Sequence, residues 1–251
     1  MTLMYVVGKN DFSGNETLKY SLRSVDKHAS GVDDVIVVGY PPAWLKCKTL
    51  AVEDMSHGVY LGKHWNILNC IVQAVRHFGL KGEFMYSSDD HFLLKDTDFD
   101  KWPHWKCGEL YTEEEYERRN GHPASSWQRS IVETRKLYDK VGATPLKSSC
   151  HANTRLNADY SEEVLELAND NKGMSNYGFE PTCLFTLASM LHGDKIEFET
   201  YNDGKCKTAD DIHRWAGLGK VTMTLAHGAE VNRNVVNWMK KTYPQKSRWE
   251  K

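Results

Sequence analysis

The chain has 251 residues, 40% hydrophobic and 26% charged, a balance that excludes a disordered chain and suits one α/β domain with a sizeable core. Its formal net charge of -2 gives no global sign of nucleic-acid binding, although Arg233, Lys240, Lys241, Lys246, Arg248 and Lys251 stand against Glu250 alone in residues 231–251. The longest apolar stretch, 181–191, falls far short of the ~20 residues that cross a bilayer, and residues 1–8 lack a basic start and a cleavage site, so a cytoplasmic protein without a membrane span is expected.

The apolar run Leu3, Met4, Tyr5, Val6, Val7 reads as a first strand ending in Gly8 and a polar loop. Leu18, Leu22 and Val25 recur at helical spacing, which predicts a helix over 16–28 with Asn15 as N-cap. Val35, Ile36, Val37 and Val38 have no polar interruption and suit a strand covered on both faces. The β-α-β order predicts a parallel sheet. After Pro41 and Pro42 a short strand is expected at 49–52, then a loop through Gly62 and a helix over 64–78, where Trp65, Leu68, Ile71, Val72, Val75 and Phe78 share a face. The next strand, 83–88, runs into Asp89, Asp90 and His91. Open α/β sheets bind ligands beyond the carboxyl ends of their strands, so a site is expected there.

The second half is less regular. It reads as a polar segment over 95–123, helices over 125–141, 161–168, 179–191, 209–215 and 231–241, and a strand over 195–201. No repeat or linker divides the chain, so one catalytic domain is expected, with residues 1–95 as the nucleotide-sugar-binding half and 96–251 as the acceptor side. The six cysteines are spread without a C-x-x-C spacing and read as free thiols.

Asp89 and Asp90 are the sharpest local signal. Adjacent carboxylates repel unless a cation or solvent compensates them, so the pair reads either as a divalent-metal site that in turn holds a diphosphate, or as a solvated turn. There is no G-x-G-x-x-G, no P-loop and no G-x-S-x-G, which leaves dinucleotide, P-loop and serine-hydrolase chemistry unsupported. Arg23 and Arg155 are candidates for phosphate oxygens because a guanidinium pairs with them bidentately. Trp102 and Trp105, flanking His104, are candidates for stacking on a sugar or base.

Several segments resemble the Stealth-type sugar-1-phosphate transferases. Residues 18–25 (LKYSLRSV), 35–38 (VIVV) and 42–45 (PAWL) look like the start of that family's second conserved region, and 84–93 (FMYSSDDHFL) like its closing strand and Asp pair. His151 within 149–153 (SCHAN) is similar to the third region, and 243–250 (YPQKSRWE) to the fourth. Residues 4–8 lead into Lys9, Asn10 and Asp11 instead of the family's Asp-Gly turn, and Ser88 replaces its Asn.

The resemblance implies a Rossmann-like GT-A-type fold, a mostly parallel mixed sheet flanked by helices with a more helical C-terminal half. It implies a nucleotide-sugar donor held through magnesium or manganese at Asp89 and Asp90, and a hydroxyl acceptor. His151 is the first candidate for the base, His91 the second and His57 the third, with Asp90 also catalytic. Lys246, Ser247 and Glu250 look like contacts to donor phosphate or metal. The transferred group is sugar-1-phosphate on this reading. The alternatives are transfer of the sugar alone to a glycan or a hydroxymethylated DNA base, a non-catalytic binding module, and a metal-dependent phosphohydrolase.

Overall fold

The structure is a computed structural model; it describes all residues except 10–14, 54–61, 150–151, 176, 202–204, 227 and 230–231, and the side chains of Ser126 and Trp127. In chain order the first half holds β1 (Thr2–Val7), α1 (Glu16–His28), β2 (Ala29–Ser30), β3 (Asp34–Gly39), β4 (Lys48–Ala51), α2 (Lys63–Phe78), β5 (Glu83–Ser87) and β6 (His91–Leu93). Next come β7 (Thr97–Asp98), β8 (His104–Lys106), α3 (Glu113–Asn120), α4 (Ser126–Val141), β9 (Thr154–Asn157), α5 (Ser161–Asp170) and α6 (Pro181–Leu191). The chain finishes with β10 (Phe198–Thr200), β11 (Lys205–Cys206), α7 (Ala209–Gly217), β12 (Thr222–Leu225) and α8 (Arg233–Thr242).

The central sheet has the order β4-β3-β1-β5-β9. Its first four strands are parallel, and β9 closes the edge antiparallel to β5. This is the mixed, mostly parallel α/β architecture expected from the sequence. Val35, Ile36, Val37 and Val38 are fully buried, as a doubly covered strand requires. Met4, Ile36, Val38 and Phe84 face α2, α5 and α6, while Leu3, Tyr5, Val37 and Met85 face α1 and the last residues of the chain. The two faces alternate along each strand because successive side chains point to opposite sides. Gly39 ends β3 at φ 104°, where an added Cβ would lie 2.3 Å from the Val7 carbonyl oxygen. No larger residue fits between β1 and the exit of β3.

Helix α1 matches its predicted span, but Asn15 caps it in a left-handed conformation, φ 63°, with no side-chain cap bond. The predicted helices over 64–78 and 125–141 start one residue away from their observed starts. The segment 95–123 is built from short pieces, including α3, whose Thr112 and Glu115 form a reciprocal capping box. A second sheet, β11-β12-β6, packs beyond α1, with β12 antiparallel to β6. The five described cysteines, Cys47, Cys70, Cys107, Cys183 and Cys206, are free thiols. Among the described residues no helix is long and apolar enough to cross a membrane.

Candidate functional site

Strand β5 fixes the position of the Asp pair. Phe84, Met85 and Ser87 are buried, and the chain then turns through Ser88, Asp89 and Asp90 into β6, closed by the His91 N–H donating to the Ser88 carbonyl at 3.2 Å. Two neighbours hold this turn. Thr17, in the first turn of α1, donates its hydroxyl to Asp89 Oδ2 at 3.3 Å, and the Leu225 N–H at the end of β12 donates to the Asp90 carbonyl at 3.2 Å. Both carboxylates are half-buried, at the carboxyl end of a central parallel strand.

Beneath the turn lies a set of hydroxyls. The Tyr5 hydroxyl meets Ser21 Oγ at 2.9 Å, Ser21 donates to the His91 carbonyl, and Ser24 Oγ accepts the Leu93 N–H at 3.0 Å. Burial pushes the Tyr5 and Tyr86 phenols well above their ordinary range, and for Tyr86 the negative charges of Glu180, Asp90 and Asp89 add to the effect. Both phenols therefore stay protonated, so no further anion forms under the pair.

His91 Nε2 lies 3.9 Å from Asp90 Oδ1, and the His91 ring is buried. His151 and His57 lie outside the described residues. Strand β9 starts at Thr154 opposite Tyr86, so the segment that follows His151 enters the sheet at the end that carries the Asp pair.

Five expected site residues, Arg23, Arg155, Lys246, Ser247 and Glu250, make their contacts to other parts of the protein. Glu250 gives both carboxylate oxygens to Arg23, with Nε at 2.7 Å and Nη2 at 2.8 Å, and also accepts from the Ser247 N–H at 2.9 Å and hydroxyl at 3.2 Å. Burial pushes the Glu250 carboxyl up, but Arg23 and Ser247 together hold it below the usual range. The expected metal ligand, Glu250, and the expected phosphate contact, Arg23, neutralise each other about 9 Å along α1 from Thr17. Ser247 is buried in the same cluster, and Lys246 reaches the Lys251 carbonyl at 2.9 Å.

Arg155 pairs with Met85 in the middle of β5, and its side chain reaches toward the amino end of that strand. It donates to Glu83 Oε2 at 2.7 Å and to the Phe99 and Asp100 carbonyls, a strand length from the Asp pair. Trp102 is buried, with its indole N–H donated to the Asn153 carbonyl at 2.8 Å, and Trp105 packs edge-on against it. His104 lies 3.1 Å from Glu83. Trp102 is thus a core residue, and Trp105 packs against the same cluster.

The structure adds a polar hub that sequence reading missed. Glu180, the N-cap of α6, lies 3.2 Å from His64 Nε2, and Ser130 Oγ of α4 lies 3.4 Å from the same nitrogen. Burial pushes the Glu180 carboxyl up, and the His64 ring together with the Thr182 hydroxyl and N–H brings it below its ordinary value. The Glu180-Pro181 step is the sequence signal, since proline at the first helical position marks a helix start. Among the described residues no three His, Cys, Asp or Glu side chains gather as a metal site.

No family model matches the chain. It is similar to the alpha/beta subunits of N-acetylglucosamine-1-phosphotransferase from Mus musculus, 31% identical over 104 residues, and from Homo sapiens, 30% identical over 104 residues. The aligned stretch covers 39% of this chain and only 8% of either relative.

Proposed function

We propose that the protein is a transferase that passes a sugar-1-phosphate from a nucleotide-activated sugar to an acceptor hydroxyl, with Asp89 and Asp90 holding a divalent cation. The observation that carries this reading is the half-buried carboxylate pair on a fixed turn at the end of β5, where ligands of open α/β sheets bind. The named activity of the two relatives supports the sugar-phosphate form of the transfer.

The donor set fits magnesium or manganese. A small hard cation keeps several waters and binds through one or two carboxylates plus substrate phosphates, so it needs no third protein ligand. Glu250 is not part of this set, because its charge is spent on Arg23. When bound, the cation neutralises charge that develops on the leaving phosphate.

The acceptor oxygen forms a bond to the sugar-bearing phosphorus as the bond from that phosphorus to the bridging oxygen breaks, releasing the nucleoside monophosphate. The acceptor proton passes to an imidazole. We assign this role to His151 on the resemblance of residues 149–153 to the family's third conserved region; the residue itself lies outside the described residues. Buried His91 instead orients the turn, with Nε2 3.9 Å from Asp90.

The test is thermal stability with a panel of nucleotide sugars, each with and without manganese or magnesium, followed by product mass for the donor that binds. A metal-dependent rise in melting temperature with one donor, and a product heavier by a sugar phosphate, is expected. A product heavier by the sugar alone would move the assignment to glycosyl transfer, and no shift with any donor would remove the donor reading.

A further inference from the structure

Away from the carboxylate turn, α3 and α4, with Tyr111 and Lys147, border an open cleft of about 240 Å³. Among the described residues no aspartate or glutamate lines it, while Arg119 and Lys147 do, and Arg119 is the cation that faces an incoming anion. Lys147 is buried, and its backbone is fixed by bonds to Cys107 and Gly108. The Arg119 guanidinium carbon lies 4.6 Å from the centre of the Tyr111 ring. That contact orients the planar group, and Arg119 makes no salt bridge among the described residues, so its N–H fork is available to an oxyanion.

The remaining walls suit a sugar ring. Tyr111 and Tyr116 supply flat apolar faces, and their hydroxyls have no hydrogen-bond partner among the described residues. Gln128 uses its Oε1 to accept the Ser125 N–H at 3.1 Å, which fixes the amide and leaves Nε2 as a donor. The volume lies below the ~300–1,000 Å³ of drug-sized sites and suits one ring with a charged substituent.

The geometry points to a binding site for an anionic monosaccharide unit, one sugar ring bearing a phosphate or a carboxylate, as the acceptor of the transfer. Its role as acceptor site rests on the transferase reading, whereas the binding itself does not.

The experiment is calorimetric titration of the full chain, without donor or metal, using glucose-6-phosphate, glucuronate, glucose and inorganic phosphate as probes. One of the two anionic sugars is expected to bind at least about 10-fold more tightly than glucose and inorganic phosphate, and Arg119→Ala to weaken it by about the same factor. Arg119→Lys keeps the charge but loses the fork, and falls between. Arg119 is exposed on α3, so the variants are expected to fold, which circular dichroism checks. Which sugar binds decides between phosphate and carboxylate. The inference is overturned if neither anionic sugar exceeds inorganic phosphate, or if Arg119→Ala leaves the affinity unchanged. Arg119-dependent binding with no turnover from any nucleotide sugar would sink the transferase reading alone, and turnover without that binding would sink the cavity alone.

Discussion

At the amino end of β5, Glu83 accepts from Arg155 at 2.7 Å and lies 3.1 Å from His104; at the carboxyl end, Asp90 meets one imidazole nitrogen at 3.9 Å. His104 and Arg155 hold the Glu83 carboxyl below its ordinary range, against the opposing effect of burial. Asp90 has no lysine or arginine within salt-bridge reach among the described residues. Glu83 opens the strand and Asp90 follows it, yet among the described residues only Glu83 is compensated by lysine or arginine. A cation at the carboxyl end, as proposed above, would even out that contrast.

The sharpest way to break this comparison is Asp90→Asn. Turnover is expected to fall by about 10³-fold, roughly 4 kcal/mol of transition-state stabilisation, with the melting temperature nearly unchanged. An active Asp90→Asn enzyme would show that the half-buried pair is only a turn. Glu180→Ala tests the same end of the molecule from below: it leaves buried His64 without its carboxylate and is expected to cost about 3–5 kcal/mol in urea denaturation.

Glu250→Gln is expected to cost about 2 kcal/mol at neutral pH, since it weakens a charge-assisted bidentate contact. The Glu250 carboxyl is depressed in the folded state, so its contribution is complete above the unfolded value near ~4.3 and is lost as pH falls through the folded value. Melting curves of the two proteins should therefore differ at pH about 7 and converge in acid below about pH 3. Glu83→Gln is the smallest change: its side chain is 41% exposed, solvent screens the pair, and under about 1 kcal/mol is expected with no effect on turnover.

The first half of the fold was legible because its elements obey strong periodicities. Helix α1 has its apolar residues at three- and four-residue steps, and β3 is an unbroken β-branched run, so both followed from residue order alone. Strands β6, β9 and β12 were not legible. They have three or four residues each, and Thr154, Arg155, Leu156 and Asn157 of β9 become a strand only by pairing with Phe84 and its neighbours, far away in sequence. Helix α3 had a signal in Thr112 and Glu115, but its wholly polar face hid it within a charged segment.

The position of the Asp pair at the carboxyl end of a central strand was legible because two carboxylates close an apolar run. Its companions were not. Arg23 and Glu250 were each read as contacts to ligand because residue type does not reveal that 227 positions of separation collapse to a bidentate pair. Arg155 and the Trp102–Trp105 pair were misplaced for the same reason: the antiparallel register of β9 and the packing under β8 decide which end of the sheet they serve.

That long-range pair also shapes the kinetics of folding. Bringing Arg23 to Glu250 closes a loop whose entropy cost is on the order of 5 kcal/mol, so the contact forms after the intervening chain has collapsed. It is expected to act as a late latch on α1, formed after the transition state. Removing it should speed unfolding while the folding rate stays the same. The lifetime of the native state, more than the ease of reaching it, is what the last residues of this chain control.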